Sequence, residues 1–233
     1  MDEMSDELLK SVSSPALKNL AEDYAEMGID TFLDNPALKE LPIVKSVIGS
    51  AKGIIAYRDR RYLKKVFNFL FQVDKSSEED KTKFKQKMAL DPEEVNKAGE
   101  TVWEILDSIS VNGKATMIGK IFQAYMAQKI DINQLTYLCE IIERAHIQDL
   151  ISLERSEIQN DINLENIGIK KPLRTEDVNT LIEKAFKEAK ESEARAARAG
   201  KLGMSLPVFK TPTLPDPNLT EAGYSLINIL RSY

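Results

Sequence analysis

Apolar residues recur every three or four positions along most of this chain, which is the spacing of a helix face rather than the alternation of a strand. Residues 5–27 place Leu8, Leu9, Val12, Leu17, Leu20, Tyr24 and Met27 in this way, with Pro15 as an interruption. "DNPAL" at 34–38 reads as a turn, with Pro36 suited to a first helical position. After Pro42, the residues Val44, Val47, Ile48, Ala51, Ile54 and Ile55 form one aliphatic stripe, predicting a helix from Ile43 to Tyr57. Tyr62, Val66, Phe69, Leu70 and Val73 then predict a second amphipathic helix facing a core.

The stretch "SSEEDKTKFKQK" at 76–87 is highly charged and fits either a solvated helix or a linker. A firmer signal follows: Asp91 can cap, Pro92 suits the first helical position, and Glu93 and Glu94 suit the positive end of the helix dipole. Val95, Val102, Trp103, Ile105, Leu106 and Ile109 supply the buried side of that helix. "VNG" at 111–113 reads as a turn before a helix carrying Met117, Ile118, Ile121, Phe122, Tyr125 and Met126. "KIDIN" at 129–133 separates it from one longer helix holding Leu135, Leu138, Ile141, Ile142, Ile147, Leu150 and Ile151. Helices joined by short connections predict an antiparallel bundle over residues 1–150.

The pattern changes after about residue 152. The Ile-Gly-Ile at 167–169 could start a strand. Residues 175–199 read as a single polar helix, capped by Thr175 and stopped by Gly200, with almost no apolar stripe in its later half. Pro207, Pro212, Pro215 and Pro217 predict extended or loop-like chain before a closing helix in "LTEAGYSLINILRSY". The expected fold is mainly α, with a helical bundle at 1–150 and a smaller C-terminal region at 151–233 containing minor β structure.

Composition narrows the classes. The chain has 233 residues, 42% hydrophobic and 30% charged, which is enough to bury a sizeable core. A net charge of −5 argues against broad nucleic-acid binding, which demands a basic surplus. One cysteine, Cys139, and an acidic opening "MDEMSDELLK" without the pattern of a secretory signal lead us to expect a cytoplasmic protein. No run of 18 apolar residues suggests a membrane span.

The charge is unevenly placed. Residues 1–42 hold ten acidic and three basic side chains, whereas residues 45–65 hold seven basic side chains against Asp59 alone. The cations Lys45, Lys52, Arg58, Arg60, Arg61, Lys64 and Lys65 are candidates for contact with a partner or an anionic membrane surface. Gly49 and Gly53 add a GxxxG spacing that permits close backbone approach. Two interior glycines cost a helix about 2 kcal/mol relative to alanine, which points to a packed neighbour or a hinge there. A 15-residue helix would be about 22 Å long, short of a bilayer's hydrocarbon slab, so it would lie in the interface with Tyr57, Tyr62, Phe67, Phe69 and Phe71 partly immersed. The competing reading packs the same helices into a core.

Catalytic chemistry finds no constellation. His146 stands alone and lies seven residues from Cys139, about 10 Å of helical rise, so neither a nucleophile pair nor a histidine-rich metal site follows. "IGSAKG" at 48–53 lacks the spacing of a phosphate-binding loop, and "DKSSEED" lacks the central glycine of a calcium loop. We expect no catalytic residue, no bound metal and no cofactor.

Two resemblances add to this. "LTEAGYSLINIL", with Leu219, Thr220, Gly223, Leu226, Ile227 and Leu230, resembles the segment after the wing of bacterial winged-helix domains, and "NLENIGIK" at 163–170 resembles the end of a recognition helix and a first wing strand. That resemblance implies a winged-helix-like C-terminal region in which 175–199 is an insertion. Glu154, Glu157, Asp161 and Glu165 against Arg155 give the reading-helix region the wrong sign for phosphate, so such a module would serve protein contact. The first 150 residues resemble a poorly characterised group of small bacterial helical proteins that share a proline-small-glycine helix followed by a basic-aromatic stretch, here "LPIVKSVIGSAKGIIAYRDRRYLKKVFNFL".

The expected function is that of a non-catalytic bacterial module for protein interaction or regulation, acting on a protein partner or a second copy of itself in the cytoplasm. An alternative is a membrane-associating effector of a toxin or antiviral defence system, acting peripherally at the inner membrane through residues 40–71. A second alternative is a DNA-binding regulator, against which the charge argues.

Overall fold

Proline, serine and aspartate mark the helix starts, and the apolar stripes between them decide which faces meet. In a computed structural model, residues 3–17, 20, 38, 40–48, 57–155, 161–170, 187 and 219–233 are described, those at 3, 48, 57–59 and 161–163 by their backbone alone. Among them the helices are α1 (Glu3–Val12), α2 (Pro42–Ile48), α3 (Tyr57–Asp74), α4 (Glu78–Leu90) and α5 (Pro92–Ser108). They continue as α6 (Asn112–Met126), α7 (Ile132–Arg144), α8 (Ile147–Arg155), α9 (Asp161–Asn166) and α10 (Glu221–Ser232). The protein is mainly α-helical, and no strand occurs among the described residues.

The basic-aromatic helix α3 forms the centre. Its Val66, Phe67, Phe69 and Leu70 are fully buried, and they belong to one core that also receives α1, α2, α5, α6, α7 and α10. α6 is the closest neighbour of α3, because Gly119 presents no side chain. A Cβ there would lie 2.8 Å from Gln72 Cβ and 3.1 Å from the Phe69 carbonyl. The Phe69 and Phe122 rings meet edge to face at 5.4 Å, and Gln72 donates to Gln123 Oε1 at 2.8 Å inside the interface. Phe69 with Phe122, Gln72 with Gln123 and Ser76 with Met126 advance together, so α3 and α6 run parallel. Consecutive helices do reverse: Lys114 at the start of α6 reaches the Glu143 carbonyl at the end of α7. The bundle is therefore not a simple up-and-down one, and its most intimate pair is separated by two helices in sequence.

Several boundaries differ from expectation. Residues 76–87 are helical, with Ser77 capping α4 by accepting from Asp80 N and Phe84 buried 5.4 Å from the Phe122 ring. Asp91 and Pro92 open α5 as expected, Asp91 accepting from Glu94 N. "VNG" is not a free turn: Val111 is the N-cap and Asn112 and Gly113 already belong to α6. Asp131 opens α7 with a capping box completed by Gln134. The long helix expected through 135–151 is two, interrupted at Ala145 and His146, where His146 Nδ1 accepts from Gln148 N and starts α8. The domain boundary expected at residue 150 falls inside α8.

The expected Ile43–Tyr57 helix is described only as Pro42–Ile48, with Ile43 and Val44 buried and the Ile43 N–H donating to Ser11 Oγ of α1 at 3.0 Å. Gly49, Lys52 and Gly53 lie outside the described residues. In the C-terminal region, α9 is followed by a turn at Gly168 with φ 81 and by an antiparallel bridge between Lys170 and Leu219. The wing strands expected there amount to this single bridge among the described residues, and the polar helix expected at 175–199 lies outside them except for Lys187. Thr220 caps α10, and a Cβ on Gly223 would collide with the Ile169 carbonyl, so the closing helix sits directly on the 168–170 turn.

Candidate partner-binding groove

Helical period sorts the residues of α3. Tyr62, Val66, Phe69, Leu70 and Val73 face the core, while Arg61 is exposed and Arg60 and Lys64 are half-buried on the outer side. Phe67 and Phe71 are buried as well and stack on each other at 5.7 Å. Phe67, Phe69, Phe71 and Tyr62 thus pack inside the protein rather than on a surface where lipid could reach them. The side chains of Tyr57 and Arg58 are not among those described.

Lys65 is put to an unexpected use. It is only 8% exposed, and its ammonium donates to the Asp107 and Ile109 carbonyls, each at 2.9 Å, at the C-terminus of α5. These are carbonyls that a helix end leaves without intrahelical partners, and a cation also suits the negative end of the dipole. Lys65 is thus committed to α5 through two of its N–H donors, and brings its charge to the surface from below rather than as an exposed side chain. Desolvation lowers its pKa, the nearby Asp107 carboxylate opposes that shift, and Arg61 adds to it.

Arg61 and Lys65 share the wall of an open groove of about 610 Å³. Val47 of α2 and Met4 of α1 line one side, both half-buried. Trp103 of α5 lines another, half-buried and held edge to face against Tyr62 at 4.8 Å. The floor is the polar corner between α5 and α6, with Ser108, Ser110 and Asn112. α6 begins here at Val111 without a side-chain cap and with no acidic residue in its first turn. The Arg61 guanidinium makes no hydrogen bond or ion pair with any other described residue. The hollow combines half-buried apolar side chains, hydroxyl and amide groups, and an exposed guanidinium.

Of the residues singled out in the sequence, the structure brings Arg61 and Lys65 together here, places Lys45 exposed on α2 outside the groove lining, and gives Arg60 and Lys64 to the adjoining face. Sequence reasoning missed Trp103 and the 107–112 corner as site residues. The available signal was the chain's one tryptophan directly preceding "EILDSISVN", a switch from apolar helix to polar corner.

The other residues considered for chemistry lie outside the groove lining. Cys139 is fully buried in α7, and burial pushes its thiol up to about 12, with the Glu140 carboxylate adding to it. His146 is exposed at the α7–α8 break. Tyr125 donates to Glu94 Oε1 at 3.0 Å, Lys87 pairs with the same oxygen at 2.7 Å, and the Lys87 ammonium sits 4.1 Å above the Tyr125 ring. Among the described residues, no group of three or more His, Cys, Asp or Glu side chains could hold a metal ion, and no helix is long and apolar enough to cross a membrane.

The chain matches no family model, no curated protein and no solved structure.

Proposed function

We propose that the protein is a non-catalytic interaction module of a bacterial cytoplasm, docking a protein partner in the groove between α1, α2, α3 and the α5–α6 corner. The observation that carries this is the coincidence of half-buried Trp103, Val47 and Met4 with an exposed Arg61, unpaired among the described residues, around one open hollow. Tryptophan and arginine contribute most where partner proteins anchor, because each offers a large contact surface with a directional polar end. The groove is tested by placing a photo-crosslinking amino acid at Ser110 in the native host. A discrete protein adduct that disappears with Arg61→Glu, and that a probe at Tyr137 does not give, supports the reading. Absence of any groove-specific protein adduct overturns it.

Association with an anionic membrane surface is the second reading, favoured by Arg60, Arg61 and Lys64 on one side of α3. Of the aromatic anchors first assigned to it, Tyr62, Phe67, Phe69 and Phe71 belong to the core. Flotation with phosphatidylglycerol vesicles tests it: binding at physiological salt, lost on charge reversal at Arg60 and Arg61, supports it, and no flotation removes it.

A further inference from the structure

We infer that the occupant of this groove is an acidic peptide segment of a partner protein, bearing an apolar side chain next to a carboxylate. The inference deepens the docking role proposed above and depends on it. Three features of the hollow bear on its occupant.

The first is charge. Arg61 and Lys65 stand one helical turn apart on α3, and the pair is close enough for Arg61 to disfavour the charge on Lys65. Lys65 has two of its three N–H donors engaged by α5 carbonyls and has no carboxylate oxygen within ion-pair distance among the described residues. Among the described residues Asp107 is the one acidic side chain lining the hollow, and it is exposed. Among the described residues the hollow therefore holds two cations to one carboxylate, and no side chain engages the planar fork of Arg61, whose geometry matches a carboxylate.

The second is the apolar wall. Trp103, Val47 and Met4 pack against the core on one side and are half-buried beside these cations on the other. An occupant that only neutralised charge would leave this wall wet. A peptide that places an aliphatic or aromatic side chain against Trp103 and a carboxylate on Arg61 satisfies both. The third is the floor, where Ser110 and Asn112 offer short donors and acceptors of the kind that hold a peptide backbone.

The test is selection of a random dodecapeptide library, displayed on phage, on the full-length protein, with the Arg61→Glu variant as the counter-target. Arg61 is exposed, so the variant folds as the wild type does, which its helical circular dichroism and melting temperature check. Peptides enriched in Asp and Glu next to aliphatic or aromatic residues are expected. A fluorescent copy of the leading peptide should bind about tenfold more weakly to Arg61→Glu, should weaken on Trp103→Ala, and should weaken with added salt. Enriched peptides without acidic bias, equal binding to both proteins, or no enrichment over the counter-target each overturn the inference. So does a groove that ignores peptides but floats phosphatidylglycerol vesicles through Arg61, which assigns it to a lipid. The host crosslink at Ser110 separates the two claims: a groove-specific protein adduct without acidic peptide selection leaves docking standing and removes only the acidic occupant.

Discussion

Lys65 illustrates how a single residue's surroundings override what its sequence suggests. It lies in the densest basic run of the chain, yet its ammonium closes the end of α5 forty-odd residues away through two carbonyls. Lys65→Met keeps the aliphatic stem but leaves both acceptors without this donor, so it is expected to destabilise the fold by about 1–3 kcal/mol in urea unfolding. Cys139 gives a second residue-scale prediction. Its thiol ordinarily titrates near 9.0 and is held protonated up to about 12 by burial in the folded chain. The unfolded chain loses this proton first as pH rises, so the contribution is intact below pH 9 and is lost on the way to 12. Cys139→Ala is expected to flatten the alkaline fall in stability by roughly 1 kcal/mol per pH unit, read from urea midpoints at about pH 8 and about pH 10. Tyr125 acts in the same direction above its ordinary 10.0, whereas Lys65 and Lys114, both lowered by burial, add stability as pH rises toward 10.5. The comparison of variant with wild type isolates the thiol from these.

Among elements, helix ends are closed by cations borrowed from other helices. Lys114 donates to the Glu143 carbonyl of α7, Lys120 to the Leu230 carbonyl of α10, and Arg231 to the Leu153 and Glu154 carbonyls of α8. None of these pairings was legible in the sequence, because acceptor and donor are far apart in the chain and a carbonyl leaves no mark in it. Local signals were legible: Asp91 with Pro92 opened α5 where expected, and the apolar stripe of α3 faced the core. The α7–α8 break was hidden by apolar periodicity that continues across Ala145 and His146 from Ile142 to Ile147. The parallel pairing of α3 with α6 was hidden too, since only the absent side chain of Gly119 hints at it. Gly119→Ala is expected to cost about 1–3 kcal/mol despite the better helix propensity of alanine, because Gln72 and the Phe69 backbone occupy the space. Gly113→Ala, whose Cβ would meet only Ile147 Cδ1 at 3.5 Å, should be neutral or stabilising by up to about 1 kcal/mol. Paired urea titrations of the two variants decide this.

For the molecule as a whole, the groove was only half visible in advance. Arg61 stood out through charge, while Trp103 and the 108–112 corner reach it from a helix whose placement no local pattern encodes. The bundle also gathers both flanks of the C-terminal region: Thr220 Oγ1 donates to the Gly168 carbonyl at 2.6 Å, and Thr220 N to the Ile169 carbonyl at 2.9 Å. Thr220→Val removes the hydroxyl that donates to the Gly168 carbonyl and accepts from Gly223 N, and is expected to cost about 1–2 kcal/mol in urea unfolding. An unchanged urea midpoint would contradict this.

Where two distant stretches of a polypeptide are clasped at a common point, disturbance of one is felt by the other. The clasp of Lys170 with Leu219 thus couples the end of α9 to the start of the closing helix, so that a loosened Gly168 turn and a frayed α10 become one event rather than two.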